Sequence, residues 1–327
     1  MIRRRDVLLS SVAALGAAAL PRTLAAQSSD FPNRPIRMIV PFAAGGGVDV
    51  FARLLAEKLK ETKGYTVVVD NRSGASGTVG GQAVRQAAAD GYTVLFSAGT
   101  HMMAQSVMKS APYDPITDFT PIARAGDAPM LLVMSPKLPQ KNITEIVADA
   151  RQKPDSWTFA TSALGSPGYL ATIAFNKLAG LNLTIAPYRG TAPGLTDVAA
   201  GHVQLLIDPV LALLPMARGG QVKAIALTAS KRSNLAPDIP TAAEAGMPGL
   251  DHSSWYGVWG PKGMPADQVA AMNAAINEAI KALAASGQLV KIGVEPVIET
   301  PQQFDTFARG YQKRGDELLK SVNFQPT

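Results

Sequence analysis

Two glycine- and hydroxyl-rich junctions carry the residue types most able to do chemistry. Gly45-Gly46-Gly47, followed by Val48 and Asp49, joins an apolar segment to a helical pattern. Ser162-Ala163-Leu164-Gly165-Ser166-Pro167-Gly168-Tyr169 repeats that logic farther along. Glycine lets the backbone approach a ligand, and free N–H groups at a helix start attract carboxylate or phosphate without a catalytic side chain. The alternative is purely structural: a tight turn with Asp49 capping one helix, and Ser162 and Ser166 capping the other. Ser166 also invites a reading as a hydrolase nucleophile. The Gly-x-Ser-x-Gly elbow is incomplete, because Leu164 stands where glycine is required. Gly45–Gly47 likewise misses the dinucleotide spacing, since Val50 occupies the last glycine position.

The three histidines, His101, His202 and His252, share no metal-ligand spacing on a helix. His101 follows an apolar strand pattern and is the one placed to enter a cleft as a cationic or hydrogen-bonding group. Asp208 ends another apolar segment, either as a turn residue or as an acceptor for a ligand hydroxyl or amine. Tyr188 and Arg189 precede Gly190, with Tyr188 the better candidate for a cleft wall. Trp255 and Trp259 read as hinge packing. The expectation is a binding site with no metal and no cofactor.

The elements that must position these residues alternate between short apolar runs and helical periodicity, the signature of an α/β protein. Strands are predicted at Ile36–Val40, Thr66–Val69 and Tyr92–Ser97, with Phe51, Leu54, Leu55 and Leu59 marking a helix between the first two. Gly74–Gly81 reads as a loop into a helix around Gln82–Ala89. These strand, turn and helix units predict a parallel sheet. Asp118–Val133 reads as an extended passage between domains. Beyond it, strands are predicted at Met130–Met134, Thr158–Ala160, Ile185–Pro187, Val203–Ile207 and Ala224–Thr228, and helices at Ile143–Gln152, Gly168–Ala179 and Gly194–Ala200. Trp255–Trp259 returns extended, and Ala266–Ala285 and Pro301–Val322 read as amphipathic helices. The organisation implied is two lobes with a double crossover: residues 27–128 plus 255–327, and residues 129–254. A hinged cleft between them is the natural place for a small ligand.

Arg3, Arg4 and Arg5 precede an apolar run of about 14 residues and then Leu24-Ala25-Ala26, which reads as a cleavable secretory leader over residues 1–26. Arg4-Arg5-Asp6-Val7-Leu8 also resembles a twin-arginine signal. Half of the formal charge of +6 resides in that leader. No basic run remains, and aromatics make up only 6% of residues, so a nucleic-acid surface is not expected. The chain has no cysteine, which excludes disulfides, thiolate metal sites and lipidation after the leader. The expectation is a monomer free in the periplasm and not embedded in the membrane.

Further motifs then resemble a known family. They include Ile39-Val40-Pro41-Phe42-Ala43-Ala44-Gly45-Gly46-Gly47 with Asp49 and Arg53, and Val68-Val69-Asp70-Asn71-Arg72 with Gly74 and Gly77. They continue with Asp90-Gly91-Tyr92-Thr93, Tyr113-Asp114-Pro115 with Asp118-Phe119, Pro187-Tyr188-Arg189-Gly190-Thr191-Ala192-Pro193, and Pro240-Thr241 with Glu244-Ala245-Gly246. Taken in order, this set is similar to the Bug-type, or TctC-type, receptors of tripartite tricarboxylate transporters. The resemblance implies a Venus-flytrap periplasmic binding protein of type II that hands a small organic carboxylate to the large and small membrane subunits of a permease. It also implies ligand contacts from Phe42, Ala43, Gly46, Val48 and Asp49 on one side, and from Ser162, Gly165, Ser166 and Tyr169 on the other, with Tyr188, Gly190 and Asp208 completing the wall. The chain departs from the family pattern at Val48, where a small hydroxyl residue is usual, at Tyr169, where histidine is common, and after Gly99, where Asn-Pro is missing. These departures lean toward a longer or aromatic acid. The rival readings are a secreted serine hydrolase using Ser166 and an orphan receptor that presents its ligand to a sensor.

Overall fold

The computed structural model describes residues 31–233 and 235–327, so the leader lies outside the described residues. Arg34–Thr327 forms one compact unit. Its strands are β1 (Ile36–Val40), β2 (Val67–Asn71), β3 (Thr93–Ala98), β4 (Phe119–Met134), β5 (Thr158–Thr161), β6 (Thr184–Pro187), β7 (Leu205–Pro209), β8 (Lys223–Leu227), β9 (Ser253–Pro261) and β10 (Glu295–Pro296). They run in the order β2-β1-β3-β9-β4-β7-β5-β6, with β8 and β10 also paired to β4.

β1 is parallel to β2 and β3, as the strand, turn and helix units require. The returning β9 then inserts antiparallel between β3 and β4. The extended passage expected over Asp118–Val133 is a single 16-residue strand, β4. Phe119–Pro129 pairs with β9, whereas Met130–Met134 pairs with β7 and β8. One continuous strand thus belongs to two sheets, and the chain crosses in β4 and comes back in β9. β5 is parallel to β6 and β7. The core follows the same division. Leu132, Phe159, Phe175 and Ile207 pack in one cluster. Ile39, Leu95, Trp255, Trp259 and Phe304 pack in another.

Local rules account for most helices. Gly47–Lys63 buries Phe51, Leu55 and Leu59 on one stripe and ends at Gly64, whose φ of 71° closes the last turn. Ile143–Gln152 and Ala266–Ala285 occupy their predicted spans. Two expectations need correction. Gly80 and Gly81 are helical, in Thr78–Arg85, instead of part of a loop. A Cβ on Gly81 would lie 2.4 Å from the Tyr113 ring, and one on Gly80 2.8 Å from Pro41, so these glycines serve close packing and not a turn. Val210–Arg218 is a helix that the pattern concealed, because Pro215 stands inside it. Among the described residues no helix is long and apolar enough to cross a membrane.

Candidate functional site

Four helices start shortly after strand ends and bring their first turns to one cavity. Gly46, Gly47 and Val48 open the helix Gly47–Lys63 after β1. Ser166 and Pro167 open Pro167–Ala179 after β5. Gly190 and Thr191 open Thr191–Ala200 after β6, and Pro209 caps Val210–Arg218 after β7. Phe42, Ala98, Thr100, Ser162, Asp208, Ser254 and Tyr256 complete the lining. Each helix start brings main-chain N–H groups and the positive end of a dipole to the cavity, which favour an anion there although no described lining residue is Lys, Arg or His.

The triple-glycine turn is organised by Asp49. Gly45, with φ of 82°, donates its N–H to Asp49 Oδ2 at 2.9 Å. Arg53 Nε and Asn71 Nδ2 donate to Oδ1 at 3.0 and 2.9 Å. Burial works against the charge on Asp49, but these donors outweigh it and hold the carboxyl below its ordinary range. Asp49 thus shapes the turn from behind and does not line the cavity. Gly46 and Gly47 differ from Gly45. A Cβ on either would meet nothing nearer than 3.6 and 3.4 Å respectively, so packing requires neither glycine.

Ala43 also stands behind the wall. Its N–H donates to Arg189 O at 3.1 Å, while Gly190 N–H donates to Ser162 O at 2.9 Å, clamping three loops together. Gly190 has φ of 125°, and a Cβ there would lie 3.3 Å from Ala43 N. Ser166 lines the cavity, yet its hydroxyl is engaged as an N-cap that accepts from Tyr169 N–H at 3.0 Å, with Thr161 Oγ1 3.2 Å away. Gly165 turns the chain with φ of 73°, and a Cβ there would come within 2.8 Å of Met103.

Three side chains expected in the cleft point elsewhere. His101 is buried against Tyr113, Phe119 and Trp259, with ring centroids 5.2, 4.5 and 4.7 Å away. Its Nδ1 lies 3.2 Å from the Tyr113 hydroxyl and its Nε2 has no partner. Burial lowers its pKa to about 3, so it is a neutral core residue and its neighbour Thr100 reaches the cavity instead. Tyr169 packs with Val107, Leu170 and Ile173 and meets the Phe324 ring edge-on. It therefore offers no stacking surface to a ligand in this cavity. Tyr188 directs its hydroxyl to Asp197 Oδ2 at 2.7 Å, outside the lining.

Asp208 is the buried acid of the wall, 2% exposed. Thr191 Oγ1 donates to its Oδ2 at 2.6 Å and Ser162 Oγ to its Oδ1 at 3.4 Å. Burial pushes its pKa up to about 7, and the two hydroxyls restrain that rise.

A family model described as the tripartite tricarboxylate transporter family receptor matches residues 51–324. Protein BugT of Bordetella pertussis is 39% identical over 275 residues, 84% of this chain and 84% of its own. Among solved structures, R. palustris Rpa4515 with adipate is similar with a TM-score of 0.87 and 35% identity, covering 91% of this chain and 100% of its own. The periplasmic binding protein BugD is similar with a TM-score of 0.86 and 32% identity, covering 91% and 100%. The chain belongs to the tripartite tricarboxylate transporter receptor family. Its fold is that of the family's periplasmic binding proteins.

In this receptor the sequence reasoning missed Thr100, Thr191, Ser254 and Tyr256. The signal for the last two was present in Ser254-Trp255-Tyr256-Gly257-Val258-Trp259. Alternate residues of a strand share a face, so Ser254 and Tyr256 lie opposite the tryptophans that drew attention. Trp255 and Trp259 pack on Phe304, while Tyr256 is gripped by Phe51 and Phe96 at centroid distances of 5.3 and 6.2 Å. As for hydrolysis, Ser166 has an N-cap bond where a nucleophile would need a base, and the wall offers no imidazole.

Proposed function

We propose that this chain is a non-enzymatic periplasmic receptor that captures a small organic carboxylate and delivers it to the membrane subunits of a tripartite tricarboxylate-type transporter. The observation that carries the reading is the convergence of four helix N-termini on one cavity without a cationic side chain. Main-chain amides and hydroxyls there hold an anion through charge-assisted bonds, each contributing about 1.5–3 kcal/mol. Family membership and the adipate bound to the similar Rpa4515 support a carboxylate as that anion.

Residues 27–128 plus 255–327 and residues 129–254 are the two lobes of this reading, joined through β4 and β9. Contacts from both sides favour the closed arrangement once a ligand is present. Tyr169 faces away from this cavity and packs on Phe324, which favours an aliphatic acid over an aromatic one. Export through the leader and docking on the two permease subunits complete the role.

Thermal-shift screening of the purified chain against mono-, di- and tricarboxylates tests it. A ligand that binds only the folded form raises the melting temperature, by more at a given concentration the more tightly it binds. A flat response to all of these acids, with stabilisation by a sugar or a cation instead, would sink the reading.

A further inference from the structure

Ser254 and Tyr256 stand two positions apart on β9, on the strand face that lines the cavity. Both residues are fully enclosed, at 0% exposure. The Ser254 hydroxyl lies near enough to act on the Tyr256 phenol, yet neither hydroxyl makes a hydrogen bond of acceptable geometry. A buried hydroxyl without a partner is costly, so two of them side by side in a cavity wall mark a place prepared for a polar guest. Asp208 stands close enough for its charge to act on the Tyr256 phenol. Each of its oxygens accepts one bond, from Thr191 or Ser162, and retains a lone pair.

The guest must therefore accept from Tyr256 and Ser254 and donate to Asp208. A hydroxyl does both. A second carboxylate only accepts, and it would stand beside a buried aspartate with no cation in the wall. An ammonium group donates, but it would face the positive ends of four helices. We propose that Ser254, Tyr256 and Asp208 form a hydroxyl-reading end of the cavity, so that the receptor selects a short carboxylic acid bearing a hydroxyl group over the same acid without it. This inference rests on the carboxylate reading above.

Calorimetry on the purified chain with two matched pairs, malate against succinate and lactate against propionate, tests the inference, with alanine as the amine control. The hydroxy acid is expected to bind roughly 10- to 100-fold more tightly than its partner, because the partner leaves the buried hydroxyls unsatisfied. Tyr256→Phe and Ser254→Ala should each shrink that ratio by weakening the hydroxy acid alone. Their melting temperatures report folding, and Ser254→Ala carries the test should Tyr256→Phe not fold. Equal binding within both pairs, preference for succinate or alanine, or variants that weaken both members of a pair alike would overturn the inference while leaving a carboxylate receptor standing. Failure of every acid to bind would overturn both.

Discussion

The Thr191 hydroxyl donates to Oδ2 of Asp208 at 2.6 Å, tying the first residue of a helix to the end of β7 inside the cavity wall. Thr191→Val keeps the shape and removes the bond. A buried carboxyl that loses one of its two donors is expected to cost about 1–3 kcal/mol of stability. Urea denaturation checks this, and an unchanged midpoint would mean that the bond contributes nothing.

Asp208 makes stability depend on pH in a defined window. Its pKa rises from 3.8 in the unfolded chain to about 7 in the fold, so the native state holds the proton more tightly. The associated stability is complete below pH 3.8, is lost as pH rises toward 7, and is flat above that. Its size is on the order of 4 kcal/mol. Asp208→Asn should remove this slope, and melting curves at pH 5 and pH 8 would report it as a smaller difference than in the parent protein.

His101 acts in the opposite sense. Burial lowers its pKa from 6.5 to about 3, so its contribution is present above pH 6.5 and is lost as pH falls toward 3. The magnitude is again a few kcal/mol, roughly 5 at the limit. Between pH 4 and 6.5 the two slopes oppose each other. His101→Phe should therefore raise the melting temperature at pH 4.5 relative to the parent, whereas Asp208→Asn should lower it. Identical behaviour of the two variants on acidification would refute the assignment.

Two glycine substitutions separate ligand space from fold. Gly46 has an extended φ of −78°, and a Cβ there meets nothing nearer than 3.6 Å, so Gly46→Ala should fold with stability unchanged within about 0.5 kcal/mol. Its methyl would project into the cavity wall and is expected to cost acid binding roughly tenfold or more. Gly168→Ala puts a Cβ 2.2 Å from the main-chain oxygen of Ile207, which cannot swing aside, and should cost about 1–3 kcal/mol or more. Paired thermal and calorimetric measurements distinguish them. If Gly46→Ala binds acids normally, the first helix start is not an anion seat.

Local chemistry was legible in the sequence wherever neighbours along the chain decide the outcome. β1, the glycine turn after it, the cap at Ser166 and the helices Ile143–Gln152 and Ala266–Ala285 follow from periodicity, turn residues and capping, whose partners lie within a few positions. Val210–Arg218 escaped because its proline contradicts the local rule, and surrounding packing overrides it.

The sequence by itself pointed to two strand-to-helix junctions with the glycines and hydroxyls of an anion site, because those features are written in adjacent residues. Only the tertiary structure decided which side chains face the ligand. His101 turned into an aromatic core made by Tyr113, Phe119 and the distant Trp259, and Tyr169 turned toward Phe324. Asp208 became a buried acid whose pKa is raised by desolvation, and Tyr256 was carried into the wall when β9 inserted between β3 and β4. Orientation and desolvation depend on partners 100 residues or more apart in some of these cases, and no local pattern encodes them.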